Sequence, residues 1–374
     1  MFKKIIVPLD GSPLSEEALP YATRLTKQLN ATLVLLRVQE GRPLVVEFSE
    51  SPQIEAGNHI HAGNIQPDRP ALAGTGSVPA YSTDYYQTVT TYSGEQDDED
   101  YLQKIKGKLV GFEAETPLNA EQIQTRVVCG RSPKELAAIV KEEQADLVVM
   151  TTHGRSGLSL MLTGSIAAKL IQHTSLPVIV IKPEETTDQA REQSEKKAVD
   201  FTLAPILVTL DGSLVSETIL DAAADLALGL GIKIHLFKEV SSVIPAGDGG
   251  VGGVGGFYYL PEYDLEKEVA ILNDQTSQYF KEIQARLREK GVECVSEIQT
   301  GEPRITLEYN GEPVEKIIGY ARQIKAQLVA MTTHGRGKVG QLVLGSVAEE
   351  VVRQSHLPVL LMKKVVHSSH IVEN

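Results

Sequence analysis

The sequence predicts an α/β chain made of two similar halves, each a doubly wound parallel sheet with helices on both faces. Three observations lead there. Short apolar runs rich in β-branched residues alternate with stretches of helical periodicity, the signature of βα repeats. The stretch 150–182, MTTHGRSGLSLMLTGSIAAKLIQHTSLPVIVIK, recurs without a gap at 331–363, an offset of 331 − 150 = 181. Asp10-Gly11-Ser12 recurs as Asp211-Gly212-Ser213, an offset of 211 − 10 = 201 that holds through the first helix to the second strand. With 374 residues there is room for two domains of ordinary size.

Residues 3–9 (KKIIVPL) read as a buried strand, and Ser12 and Pro13 suit the N-cap and first position of a helix to about residue 28. Ala18, Tyr21, Ala22 and Leu25 fall on one face of it. Residues 31–38 form the second strand, so the chain opens on a right-handed parallel unit. Residues 39–100 break the rhythm: they are rich in Gly, Pro, Ser, Thr and Tyr, end in the acidic run 95–100, and read as a poorly ordered surface insertion. His59 and His61 lie there without an obvious third ligand and read as solvated histidines rather than a metal site. A helix is expected over 101–115 and a third strand over 124–129. Ser132-Pro133-Lys134-Glu135 then forms a capping box opening a helix to about residue 144. A strand over 146–150, a helix over 165–173 and a strand over 178–181 close the first half.

Residues 183–199 are polar and charged and read as a linker. The second half repeats the order: strands over 204–210 and 233–238, a Gly-rich excursion over 241–256, a long helix over 264–290 and a strand over 293–300. Gly301-Glu302-Pro303 recurs as Gly311-Glu312-Pro313, which marks about ten inserted residues, 304–313, before a helix over 314–324. A strand over 327–331 leads into the second copy of the long repeat. The expected domains are therefore 1–183 and 202–366, with 184–201 between them.

Composition narrows the function. A net charge of −13 disfavours nucleic acid or an anionic membrane as the main partner. No apolar run approaches the ~20 residues of a membrane span, and the apolar part of MFKKIIVPLDGS is too short for a signal peptide. Cys129 and Cys294 sit in strand-like segments without metal-type spacing, as expected of core thiols in a reducing cytoplasm.

The chemistry centres on the long repeat. Gly154 and Gly164 bracket a nine-residue span, and Ser165 stands at the start of a helix. A glycine loop feeding a helix N-terminus is a ready anion site suited to phosphate, although Gly-Ser before a helix is also an ordinary cap. The second copy offers Gly335, Gly345 and Ser346, with Ser346 and Glu349 placed to form a capping box where the first copy has Ala168. There is no Walker A sequence, no Gly-x-Ser-x-Gly elbow and no paired-cysteine metal site, so a dedicated enzyme is a third and weaker reading. His153 and His334 are bases by position only and read better as parts of the loop turn.

Thr151-x2-Gly154-x9-Gly164-Ser165 and Thr332-x2-Gly335-x9-Gly345-Ser346 resemble the universal stress protein family, whose ATP-binding members carry Gly-x2-Gly-x9-Gly-Ser/Thr. Threonine replaces the first glycine in both copies. The resemblance implies two tandem Rossmann-like (HUP-type) domains of strand order 3-2-1-4-5. Neighbours reverse at strands 1 and 4, so a ligand crevice is expected outside their carboxyl ends. It implies that Asp10 holds the adenine side, Val38 lines the base pocket, and the loop holds the phosphates through Gly154, Gly164, Ser165 and Ile166. Met150 and Thr151 enter the site as the strand end, and Arg155 is either a phosphate contact or an exposed loop arginine. The second-half counterparts are Asp211, Met331, Thr332, Gly335, Gly345, Ser346 and Val347. For Asp10 and Asp211 an Asx-type turn after the strand is the structural alternative.

The implied ligand is ATP, with or without Mg2+, in a stress-response module with at most slow hydrolysis. A nucleotide-free interaction scaffold of the same fold is the competing reading. The insertions follow strands 2 and 3 and are expected to cover the crevices. The last strands, 178–181 and 359–362, are apolar edges expected to meet across a pseudo-twofold axis as an intramolecular pseudo-dimer, with a further homodimer left open. The offset of 201 puts Glu239 where the first half has Val38, which makes the first half the expected better ATP site; a one-residue bulge would instead bring in Val240.

Overall fold

A computed structural model describes residues 1–39, 45–47, 89–91, 95–111, 116–129, 133–152, 166–183, 204–241, 265–301, 312–333 and 344–363. The first half runs β1 (Lys4–Leu9), α1 (Pro13–Glu16), α2 (Leu19–Leu29), β2 (Thr32–Gln39), β3 (Val45–Glu47), β4 (Val89–Thr91), α3 (Glu95–Val110), β5 (Ile123–Cys129), α4 (Pro133–Glu142), β6 (Leu147–Thr151), α5 (Ile166–His173) and β7 (Val178–Ile181). The second half runs β8 (Ile206–Thr209), α6 (Ile219–Leu230), β9 (Ile234–Val240), α7 (Leu265–Glu289), β10 (Cys294–Thr300), α8 (Glu312–Gln323), β11 (Leu328–Thr332), α9 (Ser346–Gln354) and β12 (Val359–Met362).

Ten strands form one sheet in the order β10-β9-β8-β11-β12-β7-β6-β1-β2-β5. Each half is parallel and has the order 3-2-1-4-5 that the resemblance implied. The halves join where β12 pairs antiparallel with β7: Val359 with Val180, Leu360 with Ile179, Leu361 with Val178. Leu360 is the repeat counterpart of Ile179 at the offset of 181, so the pairing is centred on equivalent residues. A twofold relation between two copies of one strand requires that geometry. Pairing also removes both strand edges from solvent.

Each face of the sheet carries one apolar cluster, and both clusters contain residues of both halves. One packs α2, α3, α6 and α7 through Leu25, Leu29, Leu102, Ile105, Ala223 and Phe280. The other packs α4, α5, α8 and α9 through Leu136, Val140, Ile171, Ile317, Val351 and Val352. On the first face α2 meets α6 closely enough that a Cβ on Gly229 would lie 2.1 Å from Leu29 Cδ2. On the second, Lys182 Nζ donates to the Arg353 carbonyl at 2.8 Å and Lys363 Nζ to the Gln172 carbonyl at 2.5 Å. These two contacts are copies of one another: each lysine follows the last strand of its half and meets the carboxyl-terminal carbonyls of the other half's helix, where a cation complements the dipole.

Several boundaries differ from expectation. The helix expected over 13–28 comes as α1 and α2, because Pro20 lacks the N–H that would tie α2 back and Ser15 Oγ bonds the Ser12 carbonyl at 2.9 Å. The acidic run 95–100 does not end a disordered insertion; it is the start of α3, where carboxylates suit the positive end of the helix. Within the expected insertion, β3 and β4 form an antiparallel pair. Glu312 and Pro313 open α8 rather than closing an insertion. Gly345, not Ser346, is the N-cap of α9, with φ −68° and ψ 153°, so the expected Ser346–Glu349 capping box does not form. The cause is tertiary: the Gly345 N–H is bound to the Thr333 carbonyl at 2.6 Å, and the Gly345 carbonyl accepts from Glu349 N at 2.9 Å. His59, His61, Ser132, the glycine run ending at residue 256 and the linker lie outside the described residues, as do most of the segments expected to cover the crevices.

Candidate functional site

In a doubly wound sheet the ligand crevice lies where strand order reverses, here between β1 and β6 and between β8 and β11. Asp10 leaves the end of β1 in a tight turn. Its Oδ1 accepts from Ser12 N at 2.9 Å and Ser12 Oγ at 2.6 Å. Asp211 does the same with Ser213, at 2.9 and 2.6 Å. Gly11 and Gly212 take φ of 79° and 85°, the left-handed region that glycine accepts without strain. Ser12 Oγ then accepts from Ser15 N at 3.2 Å, and Ser213 Oγ from Ser216 N at 3.1 Å. The Asx-type turn is therefore present in both halves and fixes one carboxylate oxygen of each aspartate. Ser15 and Ser216 complete it; the duplicated Asp-Gly-Ser-x-x-Ser spacing was the sequence signal for them.

Facing each turn is the end of the fourth strand. Thr151 and Thr152, and Thr332 and Thr333, are buried. Thr152 N donates to the Ile181 carbonyl and Thr333 N to the Met362 carbonyl, both at 2.9 Å, so each Thr-Thr pair is stitched to the last strand. Met150 and Met331 are core side chains of the second apolar cluster. In the second half the Thr333–Gly345 bond brings the chain back so that α9 begins beside the end of β11. Ser346 is exposed at its first turn and Val347 packs against the core. Ile166 opens α5 and is 56% exposed, an uncovered apolar side chain beside the crevice. His153, Gly154, Arg155, Gly164 and Ser165, and likewise His334 and Gly335, lie outside the described residues.

The base-wall positions differ between the halves. Val38 is partly buried against the second cluster. Register is continuous in both halves: Ile5 pairs with Leu33 and Ile206 with Ile234, Val38 with Val128 and Glu239 with Gln299. No bulge intervenes, so Glu239 occupies the Val38 position and Val240 is buried in the opposite sense. The Glu239 carboxylate rests on Gly301: a Cβ there would lie 1.8 Å from Oε1.

Behind the first turn lies a cluster not anticipated from sequence. Arg37 on β2 is buried; its Nε donates to Asp98 Oδ1 at 2.7 Å and its Nη1 to the Leu9 carbonyl at 3.3 Å. Its guanidinium stacks 5.6 Å from the centroid of Tyr101, whose hydroxyl donates to Glu16 at 3.0 Å. Burial first, and the Glu16 carboxylate second, hold the Tyr101 phenol well above its usual range. The second half repeats the layout with Lys238, Thr276 and Tyr279, where Lys238 Nζ donates to Thr276 at 3.2 Å and lies 5.7 Å from the Tyr279 ring centroid.

Two open pockets of about 510 and 300 Å³ lie elsewhere, at the amino ends of the strands, and are copies of one another around Lys141 and Leu176, and Arg322 and Leu357. Among the described residues no group of three or more His, Cys, Asp and Glu is placed to hold a metal, and no helix is long and apolar enough to cross a membrane. Cys294 is buried, which pushes its thiol up.

Fold and strand-end geometry define a duplicated, doubly wound α/β protein with a crevice at each reversal of strand order. The Usp model, described as the universal stress protein family, matches residues 1–74, 77–182 and 203–363. The chain belongs to the universal stress protein family. A universal stress protein of Mycobacterium tuberculosis is 26% identical over 359 residues, spanning 96% of this chain and 94% of its own. Another from the same species is 26% identical over 224 residues, which is 59% of this chain and 63% of the relative. Among solved structures, a universal stress protein from Archaeoglobus fulgidus superposes with a TM-score of 0.52 at 16% identity, covering 96% of each chain.

Proposed function

We propose that the chain is an ATP-binding stress-response module whose two domains, 1–183 and 202–366, act as an intramolecular pseudo-dimer in the cytoplasm. The observation that supports it most directly is the meeting, at each reversal of strand order, of an Asp-Gly-Ser turn with a buried Thr-Thr strand end. In the second half this strand end is tied to the helix start that would receive phosphate. In this reading Asp10 and Val38 hold the nucleoside. Thr151, Gly154, Gly164, Ser165 and Ile166, with the backbone of Met150, hold the phosphates; Arg155 adds charge and Mg2+ accompanies them. Protein purified without added nucleotide and then denatured should release an adenine nucleotide visible by mass spectrometry. Gly164→Val would crowd the phosphates and should abolish ATP binding in calorimetry at the first site; unchanged affinity refutes the cradle.

The burial of Thr151 and Thr332 favours a second reading, a nucleotide-free scaffold, since each places a side chain where nucleotide-binding relatives have glycine. Absence of any released nucleotide, together with no thermal shift on adding ATP, would establish it instead.

A further inference from the structure

We infer that the chain binds one nucleotide rather than two, because Glu239 closes the base wall of the second crevice. The inference rests on the nucleotide reading above and specifies how its two sites differ. Three observations carry it.

The first is register. β9 pairs residue for residue with β8 as far as Phe237 and with β10 as far as Val240, so no bulge intervenes and Glu239 stands at the level of Val38. Along β9, Phe237 belongs to the apolar cluster on the α8 and α9 side, and Glu239, two residues on, shares that face. Val38 packs against the same cluster in the first half.

The second is the seat. The carboxylate lies against the Gly301 backbone, with Oε1 1.8 Å from where a Cβ would stand. Gly301 N in turn donates to the Val240 carbonyl at 2.7 Å, which locks the turn that follows β10 beside the end of β9. The carboxylate is thus held, half-buried, at the end of the sheet on the β10 side of β9, at the level of the base wall. A base entering there would bury a carboxylate against its π-face, at a desolvation cost that an apolar valine does not impose.

The third is charge at the phosphate end. α5 has no acidic residue in its first turn and carries Lys169. α9 carries Glu349 in its first turn, and Glu350 stands at the Lys169 position, paired with Arg353. A triphosphate approaching α9 therefore meets carboxylates where α5 offers none. Lys338, which the second loop has in place of Gly157, supplies positive charge for phosphate but does not make the base wall apolar.

The test is ATP stoichiometry on the full-length chain by native mass spectrometry and calorimetry, for wild type, Glu239→Val and Val38→Glu, with circular dichroism confirming that each is folded. The expected result is one ATP per chain for wild type, two for Glu239→Val and none for Val38→Glu. Two ATP on the wild type would overturn the inference while leaving the nucleotide reading intact. One ATP on both wild type and Glu239→Val would show that Glu239 is not the determinant. One ATP on Val38→Glu would place the bound nucleotide in the second half and overturn the assignment. No ATP on any of the three would sink the nucleotide reading and this inference with it.

Discussion

Gly301 and Glu239 form a pair that neither residue explains alone. A methyl group at 301 would displace the carboxylate, so Gly301→Ala should destabilise the chain by about 1–3 kcal/mol, as overpacking does. In a Glu239→Val background the cost should shrink, giving a coupling of about 0.5–3 kcal/mol in a double-mutant cycle read by urea unfolding; strict additivity would show that the contact carries no energy. His235 makes a different point. It occupies the counterpart of the buried Val34, with Nδ1 3.2 Å from the Tyr320 hydroxyl. Burial, and secondarily Lys233, lowers its pKa from the ordinary 6.5. The unfolded chain therefore takes up the proton first as pH falls, and the stability tied to neutral His235 is lost from about pH 6.5 downward. Unfolding at about pH 7.5 and about pH 5.5 should show a smaller loss for His235→Val than for wild type; equal losses would remove His235 from the account.

Helix α3 is placed by an ion pair that its sequence did not advertise. The acidic run 95–100 has the composition of a solvated tail, yet Asp98 reaches Arg37 with side-chain exposures of 12% and 10%. Removing one partner of a pair this buried leaves a desolvated charge. Asp98→Ala should cost about 3–5 kcal/mol, whereas replacing both with apolar residues of similar volume should cost far less. Thermal melts of D98A and of the double variant Arg37→Met with Asp98→Leu decide this, and equal destabilisation by both would refute it. One helix-end device, by contrast, was legible in the local sequence. Ser12 caps α1 as its position before Pro13 indicated. Asn30 and Gly231, counterparts at the offset of 201, end α2 and α6 in the left-handed region with φ of 48° and 66°. Ser346 failed as a cap because the backbone of Gly345 was already held by Thr333 from another element.

At the scale of the molecule, the two halves share one sheet and both apolar clusters, so neither half carries a complete surface of its own. Residues 1–183 expressed alone would present β7 as an unpaired apolar edge and Gln172 without its lysine. Such a fragment should dimerise through β7 in sedimentation experiments, and a soluble monomer at micromolar concentration would contradict this. In the full chain, Lys182→Ala and Lys363→Ala should destabilise by similar amounts, on the order of 0.3–1 kcal/mol each, because they are equivalent contacts with equivalent helix ends.

The alternation of apolar runs with helical stretches and the repeat offsets of 181 and 201 determined the duplicated α/β class, the strand positions and the duplicated Asp-Gly-Ser turn, because each depends on local pattern and spacing; the register of Glu239, open to a bulge in the sequence, was settled by strand pairing. The identity of Gly345 as the cap, the Arg37–Asp98 pair, the seat of Glu239 on Gly301 and the reciprocal lysines were decided only by tertiary structure. Each joins elements far apart in sequence, across distances that parallel topology and antiparallel strand pairing close, and no periodicity along a single chain encodes which of many acidic, basic or glycine residues will be brought face to face.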